Sequence, residues 1–255
     1  ALAALWTACL QWEAGGTYLY YLVTGILIFY CLAGTTLIRE VRMVFCAADR
    51  SLEEGRRQVS RIVGRDTSRL SDQEIRTAAV ETVAENASDG VIAPLLFLAL
   101  GGAPLGFFYK AVNTMDSMLG YRTERFKDFG RAAARIDDAA NYLPARLTAL
   151  LMALAAYIPF RKGKSARNLK EELRFIRRYG RMHASPNSGY PEAALAGILD
   201  CRFGGPHHYF GEYCFKPYIG NRLRPLTTTD MQQAVTVNRR AEILMILTGV
   251  LLYLL

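Results

Sequence analysis

In the stretch "AVETVAENASDGVIAP", carboxylates recur at Glu81, Glu85 and Asp89, each four residues after the last. On an α-helix that spacing stacks them on one face, where adjacent like charges repel by a few tenths of a kcal/mol per pair. Fully solvated, such a ladder is harmless; beside apolar surface it calls for a cation, either a metal such as Mg²⁺ or an Arg or Lys partner. Glu81, Glu85 and Asp89 are the candidate metal-binding set, with Asn86 and Ser88 beside them. A second cluster, "YKAVNTMDSMLGYRTER", puts Lys110, Asn113, Thr114 and Ser117 on one helical face and Asp116 on the next. A lysine, an amide and hydroxyls together suit phosphate oxygens or a polar substrate, although a lysine snorkelling from an apolar helix is the plainer reading. In "ARIDDAANYLPARLT", Arg135 meets Asp138 at i+3 and Asp137 faces Asn141, with Arg146 at the edge of an apolar run. An ordinary helix-stabilising pair would account for Arg135 and Asp138 but not for the others. In "RMHASPNSGYPEAALAG", Ser185, Asn187 and Ser188 belong to a turn-rich loop, and Pro191 and Glu192 open a helix whose positive end can receive an anion. His183 is the histidine nearest to these motifs; structural and acid-base roles both stay open for it.

Each cluster adjoins an apolar run, so the elements that position them are read from hydropathy. Gly15 to Ile38 is charge-free and long enough to cross a hydrocarbon core of about 30 Å as a helix. Arg39 and Arg42 close it, and Trp12, Tyr18, Tyr20 and Tyr21 stand where interfacial aromatics sit. The alternative is a buried helix of a soluble bundle. Val91 to Tyr109, Leu147 to Phe160 and Ile243 to Leu255 are shorter. The first of these is interrupted by "ALGGAPLG", which leaves two halves of about 15 Å each. A re-entrant or interfacial hairpin is expected there ahead of a kinked full span, and neither 91–109 nor 147–160 is expected to cross fully. Capping signals at Ser51 with Glu54 and at Ser71 with Glu74 start two helices; the second has Ile75, Ala78, Ala79, Thr82 and Val83 on its apolar side. No stretch shows strand alternation bounded by hairpin turns. The expectation is an all-α, polytopic helical integral membrane protein with re-entrant or interfacial helices and polar loops at the membrane surface, a single domain over 1–255.

Composition narrows function. Residues 161–242 carry 15 Lys and Arg against 7 Asp and Glu, a surplus equal to the chain's net charge of +8. By the positive-inside tendency that segment faces the cytoplasm. Its basic helix suits anionic headgroups or an anionic substrate, while no recognition motif accompanies the charge, which argues against nucleic acid. Five cysteines without a CxxC pair argue against a disulfide framework, and "CRFGGPHHYFGEYC" lacks the usual zinc-ligand spacings. No GxxxxGK[ST] loop occurs.

The four motifs, in this order, resemble the CobD/CbiB family of membrane-bound adenosylcobinamide-phosphate synthases. The words that carry the resemblance are "ETVAENASDGVIAPLLFLALGGAPLGFFYKAVNTMDSMLGYRTERFKDFG", "ARIDDAANYLPARLTAL", "HASPNSGYPEAALAGIL", "FGGPHHYFG" and "KPYIG", within Leu52 to about Arg240. The N-terminal membrane segment with Asp-Pro and His-Pro words that the family usually carries has no counterpart here. The resemblance implies a multi-pass inner-membrane enzyme of cobalamin biosynthesis with a cytoplasmic active site. It would join the propionate carboxylate of adenosylcobyric acid to aminopropanol or aminopropanol phosphate, using ATP and Mg²⁺, in a lipid bilayer shared with other corrinoid-pathway enzymes. Carried onto this sequence, it implies catalytic roles for Glu85, Asp89, Lys110, Asp116 and Asp137. Substrate contacts would come from Asn86, Ser88, Asn113, Ser117, Arg122, Arg135, Asp138, Asn141, Arg146, Ser185, Asn187 and Ser188. A corrinoid transporter, or a non-catalytic scaffold for corrinoid enzymes, is the rival reading; transporters place functional charges near the bilayer midplane rather than at span edges.

Overall fold

The computed structural model describes residues 15–119, 127–157, 167–209 and 212–254. Helix α1 (Gly15–Cys31) begins the described chain, and α2 (Gly34–Arg50) follows after a break at Leu32 and Ala33. The expected single run through Ile38 is thus divided. The break is held from outside: the Ala33 N–H donates to the carbonyl of Gly90 at 2.9 Å, so the freed backbone group is satisfied. Helix α3 (Leu52–Val59) starts at Ser51, whose side chain accepts the Glu54 N–H. Helix α4 (Asp72–Ala87) starts with a complete capping box between Ser71 and Glu74. Its inner face buries Ile75, Ala78, Ala79, Thr82 and Val83, as the 3.6-residue period requires.

Between α4 and α5 (Ala93–Leu119) lies one π-helical turn, Ser88–Ile92. Such wide turns admit an extra residue and recur at functional sites. Helix α5 is not straight. Gly101 (φ −150°, ψ 24°) and Gly102 (φ 63°, ψ −162°) leave helical geometry, and the arms on either side fold back on each other. The Phe97 and Tyr109 rings stack at 4.9 Å between centroids, whereas along a straight helix those residues would be separated by about 18 Å. Leu98 occupies the space a Cβ at Gly106 would need, so that glycine allows the arms to close. The Gly101–Gly102 break therefore reverses the chain, as the re-entrant reading required.

Helix α6 (Lys127–Tyr157) runs 31 residues, about 46 Å, through Pro144. It packs on α5, α8 and α9. Among the described residues, three helical stretches are long and apolar enough to cross a membrane: Tyr21–Arg50, Asp72–Met118 and Gly130–Tyr157. The second contains the reversal. The third extends far upstream of the charge-free 147–160, so that length and composition allow it to cross. With apolar side chains such as Phe29, Leu100, Phe108, Leu143 and Leu251 exposed, the protein is a polytopic helical membrane protein.

The polar part follows. Helix α7 (Leu169–Tyr179) is capped by a box between Asn168 and Glu171 and packs on α8 (Gly189–Leu199), which is buried along its length. An antiparallel hairpin, β1 (Phe203–Tyr209) and β2 (Glu212–Ile219), corrects the reading that no strands occur. Its run "FGGPHHYFGEYCFKPYIG" is rich in aromatics and glycine, and the irregularity between Phe203 and Gly205 hides the alternation. Helix α9 (Thr228–Leu254) returns across α6 and α4. One core joins these layers through Phe45, Ile75, Met152, Leu195, Phe203 and Ile219.

Candidate active site

The polar end of α4, the returning arm of α5, the start of α8 and strand β2 enclose a cavity of about 480 Å³. The helical period of α4 turns Glu81, Glu85 and Asp89 toward it, together with Thr82 and Asn86. The hairpin at Gly101–Gly102 brings Asn113, Asp116 and Ser117 to the opposite wall. Without that reversal these residues would stand tens of ångströms away. Glu192 enters from α8, Lys216 from β2, and Ile62 to Arg65 from the segment after α3.

Carboxylates dominate the lining, and each is held differently. Both oxygens of Glu81 have protein partners: the Gly204 N–H at 2.8 Å and the Arg65 guanidinium at 3.3 Å. Arg65 is buried, so this pair partly desolvates both charges. Glu85 is exposed to the cavity, with the Ser188 hydroxyl at 3.5 Å. The Ser188 hydroxyl, donating to Glu85, ties the α8 loop to the acid ladder, and the Ser185 hydroxyl stands 3.3 Å from it. Behind the hairpin wall, Asp137 accepts from Asn113 at 3.3 Å and from Asn141 at 2.9 Å. The Asn141 carbonyl oxygen accepts the Tyr109 hydroxyl at 2.8 Å. Asp137 thus supports the cavity wall from α6 rather than lining it.

The loop before α8 supplies a second tier. Ser185 donates its backbone N–H to His183 Nδ1 at 3.0 Å, which leaves the ring proton of neutral His183 on Nε2. That atom is buried and faces Glu192 Oε1 at 3.7 Å, beyond hydrogen-bond reach. Burial, with Lys216 nearby, pushes the His183 ring down to about 4, so it is neutral at pH 7. Burial, reinforced by Glu81 and Glu85, pushes the Glu192 carboxyl well up from its ordinary value, against the pull of Lys216 and Arg65. A carboxyl whose proton affinity is raised by its surroundings is a usual candidate for acid–base work.

The structure therefore brings Glu81, Glu85, Asn86, Asp89, Asn113, Asp116 and Ser117 into one cavity, with Ser185 and Ser188 on its rim and Asp137 and Asn141 behind it. Other expected residues stand elsewhere. Ser88 is buried inside the π turn. Lys110 is half-buried beside the cavity and acts electrostatically on Asp89. Arg135 is exposed on α6 and forms no ion pair with Asp138, so the expected i+3 pair is absent. Arg146 packs against the rings of Tyr142 and Tyr190, at 3.5 and 4.3 Å, and bonds Asn187 Oδ1 at 3.3 Å. Asn187 donates to the Asp138 carbonyl at 2.8 Å. Arg146, Asn187 and Asp138 thus fasten the α8 loop to α6 and are structural in this arrangement. Arg122 lies outside the described residues. Sequence reasoning missed Arg65, which folding brings onto Glu81 of the acid ladder, and Lys216, which the β hairpin carries to a cavity lined mainly from α4 and α5. Glu192 was visible only as a helix-opening acid.

Among the described residues no three acidic, His or Cys side chains form a ready metal cage. The donor set nevertheless fits a hard divalent cation. Mg²⁺ is ordinarily held by one or two carboxylates, with substrate phosphates and water completing its shell. Glu85 and Asp89 can serve in that way, whereas Glu81 is already occupied.

The sequence profile of the CobD/Cbib protein family matches residues 1–238. The chain belongs to this family. Among CobD/CbiB proteins it is similar to the "Cobalamin biosynthesis protein CobD" of Geobacter metallireducens, 52% identical over 88% of this chain and 69% of that protein. The CobD of Clostridium perfringens is 45% identical over 82% of this chain and 65% of that one. The "Cobalamin biosynthesis protein CbiB" of Salmonella arizonae is 46% identical over 82% and 64%. The chain thus matches about two thirds of the length of these relatives. No solved structure matches the chain.

Proposed function

We propose that this protein acts in cobalamin biosynthesis as an ATP-dependent amide ligase, joining a propionate carboxylate of adenosylcobyric acid to aminopropanol or its phosphate. The observation that carries the reading is the convergence of the acid ladder, the returning hairpin arm and the α8 loop on one cavity. A carboxylate does not acylate an amine at neutral pH without activation. In the proposed reaction a propionate oxygen attacks the γ-phosphorus of ATP, the bridging P–O bond breaks, and ADP leaves an acyl phosphate. The amine nitrogen then attacks the acyl carbon, the C–O bond to phosphate breaks, and inorganic phosphate departs. Mg²⁺ on Glu85 and Asp89 would offset phosphate charge. Carboxylates around the cavity favour an ammonium guest, and Glu192, with its raised proton affinity, is suited to take a proton from it before attack. Lys216 and Lys110 supply positive charge for phosphate oxygens.

Two of the residues that line the cavity, Glu192 and Lys216, belong to the basic segment 161–242. That charge supports a cytoplasmic site in the inner membrane, where ATP is available and an amphiphilic corrin can lean on exposed apolar helix.

The test is mass spectrometry of the corrinoid after incubating detergent-purified protein with adenosylcobyric acid, aminopropanol phosphate and Mg-ATP. The expected product is heavier by the amine minus water and forms with one ADP. A corrinoid of unchanged mass, also with the longer chain of a relative, would refute the ligase reading.

A further inference from the structure

Behind the Glu81–Arg65 pair lies a second cavity of about 400 Å³, and Arg65 lines both. It is walled by the first turns of α4, the bulged end of the β hairpin and the segment leading to α9. Its chemistry is opposite to that of the first. Arg65, Arg202 and Arg224 line it and, among the described residues, a single carboxylate, Glu74, which is engaged with the Ser71 N–H and hydroxyl. Arg224 is committed to Asp230 and to the carbonyls of Leu199 and Asp200. Arg202 is not: its guanidinium lies over the Tyr218 ring at 4.0 Å and makes no hydrogen bond or ion pair among the described residues. Tyr218 reaches this position because residue 205 is glycine; a Cβ there would stand 2.8 Å from the ring, at a backbone φ of 106°. Leu223 and Pro225 give apolar surface, and Gln73 and Thr77 offer an amide and a hydroxyl.

A guanidinium stacked on an aromatic ring, an apolar slot and a few polar edge groups suit a planar ring that carries phosphate. The volume is in the range of small-ligand pockets. The carboxylates of the first cavity, Glu81, Glu85, Asp89, Asp116 and Glu192, suit a metal-bound terminal phosphate and an ammonium group but leave the rest of a nucleotide to be held elsewhere. We propose that the second cavity is a nucleotide site, with the base against Tyr218 and Arg202 and the phosphates directed past Arg65 toward the acidic cavity. The proposal rests on the ligase reading, for which it supplies the place of the phosphoryl donor.

The test is titration calorimetry of the full chain in detergent with a non-hydrolysable ATP analogue and Mg²⁺. Arg202 and Tyr218 bear no hydrogen bonds that the fold needs, so Arg202→Ala and Tyr218→Leu retain the wild-type melting temperature. Loss of a charged phosphate contact is expected to raise Kd about tenfold for Arg202→Ala, and loss of stacking several-fold for Tyr218→Leu. Arg177→Ala, the same charge removed from the exposed face of α7, leaves Kd unchanged. Wild-type affinity in both cavity variants overturns the proposal. So does a loss confined to Lys216→Ala, which would move the nucleotide to the acidic cavity and leave the ligase reading standing. A wild-type protein that neither binds the analogue nor consumes ATP while corrinoid is supplied overturns both.

Discussion

Glu172 gives the sharpest test of the polar layer's energetics. It sits on the inner face of α7, fully buried, and neither carboxylate oxygen has a hydrogen-bond partner. A Cβ at Gly197 would stand 2.0 Å from its Oε1, so the side chain lies flat on the backbone of α8. Burial pushes this carboxyl from an ordinary 4.5 up to about 7, against the weaker opposing pull of Arg167. The folded protein therefore keeps a proton on Glu172 in a range where the unfolded chain has already lost it. The unfolded state binds fewer protons, so stability falls as pH rises through this window and levels off above about 7. The shift corresponds to about 3 kcal/mol at pH 8. Glu172→Gln removes the titration. Its amide places a donor where none is satisfied, a pH-independent cost of about 1–3 kcal/mol, so the informative quantity is the change in the gap between the two proteins. Thermal unfolding in detergent at pH 5, 6, 7 and 8 should show the variant gaining on the wild type by about 3 kcal/mol, or about 6–12 °C in Tm for a chain of this size. Parallel curves across that range would show that Glu172 is hydrated or paired and would refute the reasoning.

Other consequences follow from the same geometry. Glu85→Gln should leave Tm within about 1 °C, since the residue is exposed, while lowering corrinoid amidation by about a hundredfold; normal turnover in the mass assay would remove Glu85 from the site. Gly102→Ala places a side chain at φ 63°, ψ −162°, a region reserved for glycine, and should cost about 1–3 kcal/mol in unfolding experiments. His183 has the opposite sign to Glu172. Its folded value of about 4 lies below the ordinary 6.5, so the unfolded state binds more protons and stability is lost as pH falls from 6.5 toward 4. His183→Gln should flatten that acid limb, seen as a smaller Tm loss between pH 6.5 and 5. Tyr109→Phe leaves the Asn141 carbonyl oxygen buried without its donor and should cost about 1–2 kcal/mol, measured by chemical unfolding.

Local signals determined much of this protein. The capping residues at Ser71 and Glu74, the apolar period from Ile75 to Val83 and the Gly101–Gly102 break depend only on neighbours along the chain, and they were legible as α4 and as the reversal in α5. The acid ladder was equally legible, because four-residue spacing fixes a helical face wherever the helix lies. Long-range partners were not encoded locally. Glu81 could not be distinguished from Glu85 in sequence, yet packing gives Glu81 a buried arginine and a backbone N–H while leaving Glu85 open to the cavity. Arg146 and Asn187 had the residue types of substrate binders, and tertiary contact turned them into a clamp between α6 and the α8 loop. Lys216 joined the cavity only because a two-stranded hairpin carries it there. Helical faces and turns follow from torsional preference and period; which charges meet, and which stay solvated, is settled by how the folded layers exclude water.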